Sequence, residues 1–284
     1  MLPDTATPAR IDRPLRDLSV WLAHFRAAPI PVLDATAVAV GELAANEDAV
    51  DAHLLSETVA ADPLMTLKLL AHVGSNSRRE TDVETVVGAL VLLGIGPFFR
   101  LFGELPTIGQ ALRDTDDAAE VEAGLQAVLD RSHRAARFAI GFAAHRMDPD
   151  AAVIHEATLL HGFAELLLWC HAPKLALEIA RRQRADASLR SALVQQAVLG
   201  GITLAELQQA LMKAWRLPEL LIRLDDARHA NSPQVKNVTL AVRLARHSAQ
   251  SWDNAAVPDD VADLAALLQL GPVPTLKLLH EIDS

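Results

Sequence analysis

The sequence predicts an all-α protein, and three observations lead there. Alanine and leucine dominate a 284-residue chain in which 51% of residues are hydrophobic, 4% are aromatic and tyrosine is absent. That balance favours helices over sandwiches or barrels, whose strands draw on β-branched and aromatic side chains. Each clear boundary signal is a helix cap, and each apolar segment has the length of a helix. No strand pattern longer than a few residues, no low-complexity tract and no internal repeat interrupts the reading.

From the N-terminus, residues 1–14 carry Pro3, Pro8 and Pro14 without periodicity and read as a flexible leader. A first helix over residues 15–27 puts Leu15, Leu18, Leu22 and Phe25 on one face, and Pro29 and Pro31 break it. The next starts at Asp34 or Thr36, either of which can accept hydrogen bonds from free amides, and another spans residues 48–60. Asp62 as cap and Pro63 at the first helical position open LMTLKLLAHV, with Gly74 as its stop. After the loop of Asn76, Ser77, Arg78 and Arg79, Thr81 and Glu84 form a capping box for VVGALVLL, closed by Gly94, and Pro97 opens a helix through Phe98, Phe99, Leu101 and Phe102. That last stripe reads as core.

In the second half a long helical pattern covers residues 116–146. Pro173 starts LALEIARRQR, Ser188 caps LRSALVQQAVL before Gly200 and Gly201, and Thr203 with Glu206 makes a second capping box. Ser232 and Pro233 open a helix reaching about residue 250, Pro258 opens VADLAALLQL, and PTLKLLHEI closes the chain. Between the halves, Pro106, Gly109 and the acidic run at 114–117 interrupt the apolar periodicity. The expected division is therefore the leader 1–14, an N-terminal helical subdomain at 15–110, and a second helical subdomain with the C-terminal helices at 111–284.

Residues 153–173, VIHEATLLHGFAELLLWCHAP, are apolar almost all round and predict one helix buried by its neighbours rather than a membrane span. At about 100° per residue, His155, Thr158, His161, Gly162 and Glu165 form a polar stripe along it. The net charge of −10 argues against general affinity for nucleic acid or anionic lipid. The N-terminus lacks an apolar signal core, and the single cysteine, Cys170, reads as a small buried hydrophobe, so a reducing cytoplasm is the expected location. No phosphate loop, dinucleotide fingerprint or nucleophile motif is present, so no cofactor is expected.

The succession Pro29-x-Pro31-Val32-Leu33, AADPLMTLKLL, the Asn76-Ser77 loop and VVGALVLLGI resembles the HDOD family, the HD-related output domains. Arg131-Ser132-His133-Arg134 and the Trp215-x-Leu217-Pro218 signature continue the resemblance, which covers residues 29–250. It implies an HD-like helical bundle in the second subdomain and a role in bacterial signal transduction.

By the same resemblance, His133 and His161 match two histidine positions of metal phosphohydrolases. Gly162 stands where the tandem aspartate belongs, and the helix from Pro233 has Arg243 and Arg246 where a later ligand would be sought. Hard cations and their activated water need anionic oxygen as well as imidazole. Glu165, one turn after His161, is a rescue ligand on spacing alone. The expectation is thus no catalytic residue and no metal, with His133, His155 and His161 as hydrogen-bonded core or groove residues. An aspartate placed at Gly162 is expected to destabilise the helix as a buried, unpaired charge.

The leading functional expectation is a non-catalytic regulatory module that binds a protein partner or small ligand, with Asn76, Ser77, Arg78 and Arg79 as binding candidates. A metal-dependent phosphohydrolase with an altered ligand set is the alternative. A cyclic dinucleotide between the subdomains is a third reading, for which the chain offers arginines but few stacking aromatics.

Overall fold

The computed structural model describes residues 10–76, 83–186, 189–224 and 227–284. The fold is all-helical, as the composition and caps predict. Among the described residues the only β-type pairing is one isolated parallel bridge, Val32 to Thr107.

The first half comprises α1 (Leu18–Ala27), α2 (Asp34–Ala44), α3 (Ala52–Ala60), α4 (Pro63–Asn76), α5 (Val86–Leu93), α6 (Ile95–Phe102) and the short α7 (Ile108–Ala111). α4 lies at its centre, buried on nearly every side from Pro63 to Val73. Asp62 explains both its start and its position. The carboxylate accepts from Leu64 N at 2.8 Å and Met65 N at 3.2 Å, and its other oxygen takes Leu33 N at 2.8 Å from the turn before α2. Asp34 is not the cap expected of it. It occupies the first helical turn of α2 and reaches across to Thr107 Oγ1 at 2.6 Å and Gly109 N at 3.0 Å, tying α2 to α7.

The second half comprises α8 (Ala118–His145), α9 (Ala151–Leu159), α10 (Phe163–His171), α11 (Pro173–Ala185), α12 (Ser191–Leu199), α13 (Leu204–Trp215), α14 (Glu219–Arg223), α15 (Pro233–His247), α16 (Val257–Leu268) and α17 (Pro272–Asp283). The 28-residue α8 is the spine, with α9, α10, α11, α15 and α17 packed along it. α1 crosses over to lie on α13, and its Trp21 Nε1 donates to the Leu199 carbonyl at 3.2 Å. One cluster of buried apolar side chains runs through both halves.

Several boundaries differ from expectation for identifiable reasons. Arg10 donates to the Ala111 and Arg113 carbonyls at 2.7 Å each, and Ile11 is buried with its amide on the His171 carbonyl, so the described end of the leader is packed. α4 continues past Gly74, which is glycine because α13 leaves no room: a Cβ would lie 2.4 Å from the Trp215 carbonyl oxygen. α5 is capped by Thr85, which accepts from Gly88 N, while the expected Thr81 lies outside the described residues. Ser188 also lies outside them, and α12 starts at Ser191 without a side-chain cap. Leu101 is half exposed, whereas Phe98, Phe99 and Phe102 are core.

The central apolar stretch is the main correction. It is two helices, α9 and α10, joined by a turn over residues 160–162. Taken as one segment, Ala151–His171 has 21 residues and an 18-residue window with a mean hydropathy of 1.3, enough for a membrane span by length and composition alone. The protein's own helices set it apart from one, since 61% of that window is buried inside the fold.

His171, at the end of this segment, and His24 of α1 set a pH dependence. His171 and His24 meet edge to face at 5.9 Å, and burial, followed by the His24 charge, lowers the His171 pKa to about 4. The folded state therefore favours neutral His171. Its contribution to stability is complete above the ordinary histidine pKa of about 6.5 and is lost as pH falls from there towards 4. NMR titration should find the His171 imidazole still neutral at pH 5 in the folded protein; protonation near 6.5 would contradict the burial.

Candidate functional site

The turn between α9 and α10 is held from outside by α13. Gln208 Nε2 donates to the His161 carbonyl at 2.7 Å, and its Oε1 receives Ala164 N at 3.5 Å, so one amide spans the break. Beside the break lies a cavity of about 760 Å³, walled by α8, α10, α11, α12, α13 and α15. Thr158, His161, Gly162 and Glu165 of the polar stripe line it. The stripe expected on one side of a single helix is thus largely preserved across the turn.

His155 departs from it. It is not among the cavity-lining residues, and burial, then the neighbouring His133, holds its pKa below the usual histidine value. His133 is not in the cavity either: its Nε2–H donates to the Ala61 carbonyl at 2.9 Å, joining α8 to the end of α3 in the first half. The two histidines matched by resemblance therefore serve different places. Glu156, which follows His155 in α9, receives Val86 N at the start of α5 on both carboxylate oxygens, at 3.0 and 2.8 Å. Burial raises its pKa to about 7 against the pull of that amide.

Glu165 is engaged by Arg131 Nη2 at 2.7 Å, in a partly exposed pair on the cavity wall. Gly162 contributes no donor atom, yet nothing in the packing requires glycine there, because a Cβ would meet no atom within 4 Å. It also stands at the N-cap of α10, where an aspartate side chain is favourable rather than destabilising, which corrects the expectation of a buried, unpaired charge. Among the described residues no three His, Cys, Asp or Glu side chains converge as a metal site. The arrangement does not fit a divalent ion: one histidine is drawn away to a backbone carbonyl, and the rescue carboxylate is neutralised by an arginine.

Of the loop candidates, Asn76 is exposed and turned back on its own helix, donating to the His72 carbonyl at 2.8 Å. Ser77, Arg78 and Arg79 lie outside the described residues. Cys170 is buried, and its thiol is pushed up to about 12 by burial, in keeping with a packing role. Sequence reasoning missed Gln208, which belongs to no motif, and the pairing of Arg131, whose motif was read for His133 alone; Arg246, noted only as a non-acidic residue, is exposed at the cavity's edge.

Such a scaffold, a helical bundle with a broken apolar helix beside a cavity, defines an all-helical protein of the kind expected from the resemblance. The chain belongs to the HDOD domain family, which matches residues 30–231. In structure it is similar to the MmoQ response regulator of Methylococcus capsulatus str. Bath, at 22% identity over 88% of this chain and 98% of that one, with a TM-score of 0.64. It is also similar to a virulence factor of Campylobacter jejuni subsp. jejuni, at 16% identity over 93% and 97% of the two chains, with a TM-score of 0.59. At such identities the likeness is one of fold. No curated protein matches the chain.

Proposed function

We propose that this chain is a non-catalytic regulatory output module of bacterial signalling, working in the cytoplasm by binding a protein partner or a small ligand at the broken helix. The carrying observation is the Arg131–Glu165 pair at 2.7 Å, which occupies the one carboxylate among the described cavity-lining residues. Family membership and the response-regulator description of the MmoQ protein support the signalling half of the reading.

The purified protein is expected to hold no stoichiometric metal and to hydrolyse no phosphodiester at an enzymatic rate. Gly162→Asp should fold stably, because the site has room and α10 gains a cap, yet it should not gain turnover, since α15 carries no acidic residue. Elemental analysis and assay with a chromogenic phosphodiester check both. About one iron or manganese per chain, with turnover abolished by His161→Ala, would establish the altered-ligand phosphohydrolase instead.

A further inference from the structure

The net charge of the chain is −10, yet the described lining of the cavity carries Arg131 and Arg246 against a single carboxylate, Glu165. Arg131 and Glu165 offset one another, which leaves Arg246 of α15 as the net charge. Its guanidinium is steadied by a relay that starts at the surface and ends on a buried carboxylate. Arg246 Nη2 donates to His247 Nε2 at 3.4 Å, and His247 Nδ1–H donates to Asp260 at 2.7 Å. Asp260 on α16 is 1% exposed and also pairs with Arg243 at 2.6 Å. An arginine anchored on one side keeps most of its five N–H groups for a ligand and loses little freedom on binding it.

The other walls are mostly apolar, including Leu168, Trp169, Ile179, Leu204 and Val242, interspersed with neutral amides. A volume of about 760 Å³ is in the range of sites that enclose a small organic molecule. We infer that this cavity binds a small organic anion, with an apolar body against α10 and α11 and a phosphate or carboxylate group on Arg246. The inference rests on reading the cavity as a binding site and adds the class of its ligand. Asp260 and His247 are positioning residues, since they act only through Arg246.

The test is fluorescence titration of the full chain with anilinonaphthalene sulfonate and with its uncharged parent, phenylnaphthylamine, which share the aromatic body. The sulfonate should bind with a saturable stoichiometry of about one and at least about tenfold more tightly than the parent, a difference reduced by salt. Arg246→Gln should remove that advantage while leaving the parent's affinity unchanged. Ala180→Phe and Leu204→Trp, which fill the cavity from two different helices, should each weaken both probes. Displacement of the sulfonate by inorganic phosphate rather than acetate would assign a phosphate ester, and the reverse order a carboxylate.

Equal affinity for the two probes, an undiminished preference in Arg246→Gln, displacement by neither anion, or sulfonate binding indifferent to both filled cavities would overturn the inference. Each such failure leaves the metal and turnover measurements untouched, so this inference and the non-catalytic reading fail separately.

Discussion

Trp215→Ala is expected to lower the unfolding free energy by about 3 to 5 kcal/mol, as removal of a large, well-packed aromatic does. Trp215 closes α13, is 6% exposed, and meets the Phe163 ring at 6.1 Å where α10 begins. Its own backbone forms the surface against which Gly74 of α4 is seated. The indole thus fills the space where α4, α10 and α13 converge, and three helices cannot all relax into the void left by alanine. Arg216 after it adopts a left-handed conformation (φ 50°), so the chain turns sharply towards Leu217 and Pro218 and cannot slide to refill the space. Guanidinium unfolding monitored by circular dichroism checks this; a loss below about 1 kcal/mol would mean that the ring contributes little packing.

Asp62→Ala is expected to cost about 2 to 4 kcal/mol. Losing an N-cap is worth roughly 1 kcal/mol, and stranding Leu33 N, which has no other acceptor at that turn, adds roughly 1 to 3. The sum is an upper range, because both losses fall on one side chain and need not add. Asp62→Asn retains one oxygen and should recover the α4 cap or the Leu33 bond but not both, giving an intermediate loss. Equal stability of all three proteins in urea would show that the bridge between α2 and α4 carries no weight.

These two residues also mark how far the sequence was legible. Asp62-Pro63, Thr203 with Glu206, Ser232-Pro233 and the stops at Gly94 and Gly200 each act through a chemistry complete within one turn, so they could be read directly from neighbouring residues. The break between α9 and α10 could not. Gly162 alone hints at a turn over residues 160–162, and an isolated glycine is a weak breaker within a helical pattern; the amide that spans the turn, Gln208, arrives from more than forty residues away. Spacing brought His161, Gly162 and Glu165 together correctly, because helical periodicity survives one irregular turn. It could not foresee that Arg131 would reach Glu165, or that His133, placed beside His161 by resemblance, would be turned towards Ala61.

The last three helices bear on where this protein can be cut. The family match ends at residue 231, yet α8 depends on helices beyond that point. Arg134 of α8 is fixed by Asp283 through two hydrogen bonds of 2.7 Å and lies over the rings of Phe138 and Trp252, while Ile282 fills the notch that Gly141 leaves open. A fragment trimmed to the recognisable module would expose Phe138 and leave a half-buried guanidinium without its counter-ion. It would also lack α15, and with it Arg246. The stretch that sequence comparison delimits is therefore shorter than the stretch that must travel together for the fold to close, and the excess carries both the lid over the spine and the charge at the cavity's edge.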